Sequence, residues 1–163
     1  MNKDLKIREI EPEDNKEVAS IIRSSLEDFK ANKPGTVYYD ESTDHLYEMF
    51  RKEKSSYFVV LYKQKIVGGG GVFPTPGLPT DTCELVKLYV SGLVRGKGIG
   101  KLLLNKCMDK AMEFGYNKMY LETMPELKIA IPMYEKFGFK YIDAPMGETG
   151  HTSCDVWMIK TLH

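Results

Sequence analysis

The part of the chain best equipped for chemistry is Val94-Arg95-Gly96-Lys97-Gly98-Ile99-Gly100-Lys101. Glycines at alternate positions let a ligand approach the backbone, and Arg95, Lys97 and Lys101 set cations beside them. A helix reads as starting here, and its first N–H groups have no partner within the helix and carry partial positive charge. Together these features suit the oxygens of a diphosphate. The plainer alternative is a turn and a tight helix start. Spelling disfavours two other phosphate loops. For GxxxxGK[ST], Gly100-Lys101 is followed by Leu102, which has no hydroxyl for magnesium. For GxGxxG, position 101 must be glycine and is Lys101. A nucleotide triphosphatase and a dinucleotide oxidoreductase are therefore both disfavoured.

The elements that must hold this loop follow from the spacing of apolar residues. Leu5 to Ile10 reads as a strand, and Pro12 opens a helix through Val18, Ile21, Ile22, Leu26 and Phe29, stopped by Lys33-Pro34-Gly35. A second helix is expected over Asp44 to Lys54, from Leu46, Met49 and Phe50. Ser56 to Tyr62 and Ile66 to Phe73 form a hairpin. Its glycines, Gly68 to Gly71, either loosen the strand or admit an acceptor close to the backbone. Then come a strand from Cys83 to Val90, a helix from Arg95 to Gly115, a strand from Lys118 to Thr123 and a helix from Glu126 to Phe137. Phe139 to Asp143 and Asp155 to Lys160 close the chain as strands. This alternation requires at least one parallel pair joined by a crossover. Thr123, at the carboxyl end of its strand, is placed either by β-propensity or by a ligand crevice.

The chain has 163 residues, which suits one domain over 1–163. Lys plus Arg and Asp plus Glu number 23 each, so no global field draws nucleic acid or an anionic membrane. Met1-Asn2-Lys3-Asp4-Leu5-Lys6 lacks the apolar core of a signal peptide, and the apolar run Tyr57 to Tyr62 is too short for a bilayer. A cytoplasmic protein is the expectation. Cys83, Cys107 and Cys154 read as reduced thiols, and no metal is expected, His151 and Cys154 being only loosely spaced for ligation.

The same loop also spells RxxGxG, as Arg95, Gly98 and Gly100. With the strand Cys83-Glu84-Leu85-Val86-Lys87-Leu88-Tyr89-Val90 and the run Ala130-Ile131-Pro132-Met133-Tyr134-Glu135-Lys136-Phe137-Gly138-Phe139, the sequence resembles the GNAT N-acetyltransferase superfamily. The element order agrees over nearly the whole chain, and the specific motifs lie between about 83 and 139. The resemblance implies an α/β (α+β) fold, a mixed, twisted sheet of about seven strands flanked by about four helices, with strands four and five splayed. It implies that acyl-CoA enters the gap. The pantetheine would then run along Leu88, Tyr89 and Val90, and the diphosphate would lie on Arg95, Gly96, Lys97, Gly98, Ile99, Gly100 and Lys101. Thr123 would line the cleft.

Acyl transfer to an amine needs the unprotonated form, whereas an alkylammonium has a pKa of about 10.4. The resemblance gives that proton to Glu84, directly or through a water, and makes Tyr134 the partner of the departing sulfur. The alternatives are an exposed Glu84 paired with Lys87, and a Tyr134 packed as a core aromatic. Leu127-Lys128-Ile129 stand where many relatives carry an asparagine against the cofactor, and Pro132 should bend the helix before Tyr134. On the acceptor side stand Phe29, Gly71 and His151. His151 lies in a polar stretch, Gly147 to Cys154, that either binds an acceptor carboxylate or is an ordinary solvent loop.

The expectation is an acetyl-CoA-dependent N-acetyltransferase acting by direct attack on a small-molecule amine or amino acid derivative. A protein or peptide amine is the other acceptor class, and a catalytically silent acyl-CoA-binding module the other function. A homodimer, common in relatives, is left open as the partner.

Overall fold

In a computed structural model describing residues 3–163, seven strands form one sheet flanked by four α-helices. Met1 and Asn2, where the segment read for a signal peptide begins, lie outside the described residues. The elements are β1 (Leu5–Glu9), α1 (Asn15–Asp28), α2 (Leu46–Met49), β2 (Ser56–Tyr62), β3 (Lys65–Phe73) and β4 (Thr82–Val90). After these come α3 (Ile99–Glu113), β5 (Lys118–Thr123), α4 (Ala130–Lys136), β6 (Lys140–Ile142) and β7 (Val156–Thr161). Among the described residues, no helix is long and apolar enough to cross a membrane.

The sheet order is β1-β2-β3-β4-β5-β7-β6. Every neighbouring pair is antiparallel except β4 and β5, which α3 joins as the expected crossover. Alternate residues of β2 enter two cores: Phe58 and Val60 pack with Leu103, Leu104, Cys107 and Tyr134 of α3 and α4, and Tyr57 and Val59 pack with Val18, Ile22 and Leu26 of α1. Burial on both faces explains why β2 is a continuous apolar run. Lys63 and Gln64 turn the β2–β3 hairpin, both with positive φ, as a two-residue turn that matches strand twist requires.

Two features of β4 shape the site. Its parallel pairing to β5 stops at Glu84 opposite Tyr120, so Leu85 to Val90 leave β5 and the strands splay as expected. Opposite β3, the register jumps from Gly71–Val86 to Gly69–Tyr89, a bulge in which Lys87 takes φ +51°. The β3 glycines are accounted for here. A Cβ on Gly69 or Gly71 would stand 2.6 or 2.7 Å from the Tyr57 ring, whose hydroxyl donates 2.7 Å to the Lys87 carbonyl. Glycine lets the ring lie on the strand and hold the bulge.

Three helices begin or end differently from the sequence expectation. The helix expected over Asp44–Lys54 is the single turn α2, because Phe50 is buried against Tyr57 and Phe73 and Lys54, at φ +60°, turns the chain into β2. Helix α3 starts at Ile99 and not at Arg95, since Gly96 and Gly98 hold left-handed conformations. Helix α4 starts at Ala130 and not at Glu126. Pro132 therefore lies in the first turn, where its missing N–H costs no helical bond and no bend is needed.

Candidate active site

The loop before α3 has the properties expected of a diphosphate cradle. Gly96 and Gly98 have φ of +85° and +78°, which disfavour any side chain. No atom lies within 4 Å of where a Cβ would stand on either, so their backbone is open. The first helical bond runs from the Leu102 amide to the Gly98 carbonyl at 3.1 Å, so the amides of Ile99, Gly100 and Lys101 precede it without helical acceptors. Gly100 lets α4 approach, for a Cβ there would lie 3.3 Å from Met133 Sδ. Arg95 stacks its guanidinium 4.7 Å from the Phe29 ring centre and lies 3.4 Å from Asp28.

From this loop a cavity of about 320 Å³ runs into the gap between β4 and β5. Arg95, Gly96, Gly98 and Lys101 line its outer part, Leu88, Tyr89 and Val90 one wall, and Thr123 and Tyr134 the inner part. Past Glu84 the β4 backbone has no strand partner on the β5 side among the described residues, so the Leu88 edge is free to pair with an extended ligand. The Val90 carbonyl already accepts from Ser25 Oγ at 3.3 Å. Tyr134 is buried, and its hydroxyl has no hydrogen-bond partner among the described residues. Burial raises its pKa, which keeps the phenol protonated and able to donate.

A smaller cavity, about 40 Å³, adjoins the first through shared walls at Leu85, Lys87, Glu122 and Thr123. Charged groups crowd it. Glu84 is 4% exposed, and Thr75 Oγ1 donates to its Oε1 at 2.5 Å. Burial, opposed by that bond, pushes its pKa up to about 7. The bulge aims Lys87 inward, its side chain 3% exposed and its Nζ 3.4 Å from Asp40 Oδ2. Burial lowers its pKa. The neighbouring His151, then Lys87 and Ser42, hold the Asp40 carboxyl well below the usual range. Glu122 accepts 2.6 Å bonds from Tyr120 and Thr149 hydroxyls. His151 lies between carboxylates, Nδ1 3.8 Å from Glu122 and Nε2 3.5 Å from Asp40, and Nε2 makes no hydrogen bond among the described residues. Donor atoms of Glu122, His151 and Cys154 lie within 4.8 Å of one another, and burial raises the Cys154 thiol to about 12.

The residues named from sequence fall into three groups. Leu88 to Val90, Arg95, Gly96, Gly98 to Lys101, Thr123 and Tyr134 line the larger cavity, while Lys97 projects from the same loop over Tyr62. Glu84 and His151 line the smaller one, so the exposed Glu84 paired with Lys87 is replaced by a buried Glu84 bound by Thr75. The other two residues named for the acceptor side lie apart from each other: Phe29 lines the larger cavity beneath Arg95, whereas Gly71 is packed under Tyr57 and Phe50 and lines neither cavity. Sequence reasoning missed Asp40, Glu122 and Thr75 and named Lys87 only as a neighbour. The crevice rule applied to Thr123 fits adjacent Glu122 equally, whereas Asp40 and Thr75 lie in loops without a local signal.

Comparison with known proteins places this fold. The model of the acetyltransferase (GNAT) family matches residues 18–139. The uncharacterized N-acetyltransferase YjgM of Escherichia coli K12 is 40% identical over 158 residues, covering 96% of this chain and 94% of its own. A GNAT-family acetyltransferase of Staphylococcus aureus Mu50 superposes with TM-score 0.86 at 21% identity, over 98% of this chain and 99% of the other. The yncA protein of Salmonella typhimurium, solved with its cofactor acetyl-CoA, gives TM-score 0.77 at 20% identity, over 99% and 95%. The chain belongs to the GNAT acetyltransferase family and is an acyltransferase.

Proposed function

We propose that the chain transfers the acetyl group of acetyl-CoA to a small primary amine by direct attack in a ternary complex. The observation that carries this reading is the meeting of an open diphosphate loop and a strand gap with a buried carboxylate whose pKa is near 7. Arg95 to Lys101 hold the diphosphate, and Leu88, Tyr89 and Val90 align the pantetheine so that the thioester reaches Thr123. Glu84, which lines only the smaller cavity, takes the amine proton through a water. The freed nitrogen forms the C–N bond, the C–S bond breaks, the thiolate receives the Tyr134 proton, and the second proton that the nitrogen sheds as the amide forms restores the Tyr134 phenol through solvent. A cytoplasmic enzyme of one catalytic domain, without a metal, is the simplest setting for this chemistry.

The test is thiol release from acetyl-CoA across a panel of amines, with Tyr134→Phe beside the wild type. The variant should lose about 10²–10⁴-fold in kcat while its Kd for acetyl-CoA changes less than about twofold. Equal turnover removes Tyr134 from the mechanism. Binding of acetyl-CoA without thiol release from any amine replaces the enzyme with a silent acyl-CoA-binding module.

A further inference from the structure

The smaller cavity gathers three ligand types that acetyl transfer leaves unused. Glu122, His151 and Cys154 all line it, and one donor atom from each, an oxygen, a nitrogen and a sulfur, lies within 4.8 Å of the other two. His151 and Cys154 are loosely spaced in the sequence, but a turn closed by the Cys154 amide on the His151 carbonyl at 3.3 Å brings both to this cavity, where β5 supplies Glu122. Bonds of about 2.0–2.3 Å from one tetrahedral ion to such atoms set them about 3.3–3.6 Å apart. His151 Nδ1 and Glu122 are already at 3.8 Å, and no pair must draw in by more than about 1 Å.

The surroundings suit a ligated ion. Glu122 accepts 2.6 Å bonds from the Tyr120 and Thr149 hydroxyls, which orient its carboxylate without neutralising it. Lys87 is held 3.4 Å from Asp40, so the carboxylates of Glu122 and Glu84 leave the cavity with an excess of negative charge. His151 Nε2 is a buried nitrogen with no hydrogen-bond partner among the described residues, and it faces Asp40 at 3.5 Å. A metal on Nδ1 keeps the proton on Nε2, where it can donate to Asp40, the carboxylate–histidine–metal arrangement that fixes a ligating imidazole. About 40 Å³ exceeds the roughly 10–15 Å³ that one water needs and falls far short of an organic ligand pocket of about 300–1,000 Å³.

We propose that Glu122, His151 and Cys154 form a binding site for Zn²⁺, completed by one water, and that zinc bound there stops acetyl transfer. The site stands on its own ligands, whereas its effect rests on the acetyltransferase reading above. Thiolate, imidazole and carboxylate together select zinc over Mg²⁺ and Ca²⁺, which take oxygen ligands. As the bond to sulfur forms, Cys154 gives its proton to solvent, and no group is oxidised or reduced. The reaction itself needs no metal. Glu84 lines the same cavity, so an ion there interrupts the water path by which Glu84 takes the amine proton.

The test titrates the full chain, stripped by a chelator, with Co²⁺ as a spectroscopic stand-in for zinc. Stoichiometric Co²⁺ should bring a thiolate-to-cobalt charge-transfer band and the strong visible bands of a four-coordinate ion, and Zn²⁺ but not excess Mg²⁺ should bleach them. Cys154→Ser should remove the charge-transfer band and weaken Zn²⁺ binding by about 100-fold or more. Asp40→Asn, which acts on the ion only through His151, should weaken it by about 10–100-fold. An unchanged Kd for acetyl-CoA shows that both variants fold. No band in the wild type, its survival in Cys154→Ser, or bleaching by Mg²⁺ overturns the site; a protonated His151 serving both carboxylates would give the first of these. Unaltered affinity in Asp40→Asn overturns the arrangement through His151. In the acetylation assay, followed by loss of the thioester absorbance, Zn²⁺ should inhibit the wild type at concentrations at least about tenfold below those needed for Cys154→Ser, and a chelator should reverse it. Equal inhibition of the two overturns the inhibitory role. Absence of turnover with any amine defeats the acetyltransferase reading and leaves the cobalt result standing.

Discussion

Glu84 shows what burial does to one carboxylate. Its pKa of about 7 against 4.5 for a free glutamate leaves it partly ionised at neutral pH, as a base needs. In the acetylation reaction, kcat/KM should rise about tenfold per pH unit below 7 and level off above it, and Glu84→Gln should abolish that limb. The same shift has a cost in stability. The folded chain keeps the proton that the unfolded chain loses above 4.5, so stability falls as pH rises from there to about 7, by about 3 kcal/mol in all. At pH 4 the group is protonated in both states. Glu84→Gln should therefore raise Tm markedly at pH 8 and little at pH 4. Equal gains at both pH values would mean that the carboxylate is not strained by burial.

Among the elements, β4 depends on β3 for its shape. The bulge that turns Lys87 inward at φ +51° is held by the Tyr57 hydroxyl, and that ring fits only because Gly69 and Gly71 carry no Cβ. Gly69→Ala would press a methyl group to within 2.6 Å of the ring. Overpacking of this kind costs about 1–3 kcal/mol, so the urea midpoint should fall accordingly. Gly115→Ala, where nothing lies within 4 Å, reports only the strain of φ +88° and serves as the control for steric crowding. A loss at Gly69 no greater than at Gly115 would show that the ring can move aside, freeing the bulge from Tyr57.

At the scale of the molecule, the donor loop and the splayed strands should make folding sensitive to coenzyme A. A ligand that binds only the folded chain adds about 2.7 kcal/mol at 100 times its Kd. For a chain of 163 residues that corresponds to a rise in Tm of about 5–10 °C, readable by calorimetry. The rise should shrink with added salt, because Lys97 and Lys101 are exposed and their attraction to phosphate is screened. An unchanged Tm in saturating coenzyme A would refute the cradle.

The donor half of the site and the order of the elements could be read directly from the chain, because the signals are local. Periodicity of two and near 3.6 marks strands and helices. Glycines in Arg95 to Gly100 mark positive φ and open amides a few residues apart. Helix limits were less legible, since Phe50 ends α2 by packing against residues of β2 and β3. The acceptor half was decided by the tertiary structure alone. Asp40, Lys87, Glu122 and His151 come from separate segments, and only folding puts Asp40 between Lys87 and His151 and sets Glu84 beneath Thr75. Charge, burial and pKa in that cavity are properties of distances across the fold, and no sequence window contains them.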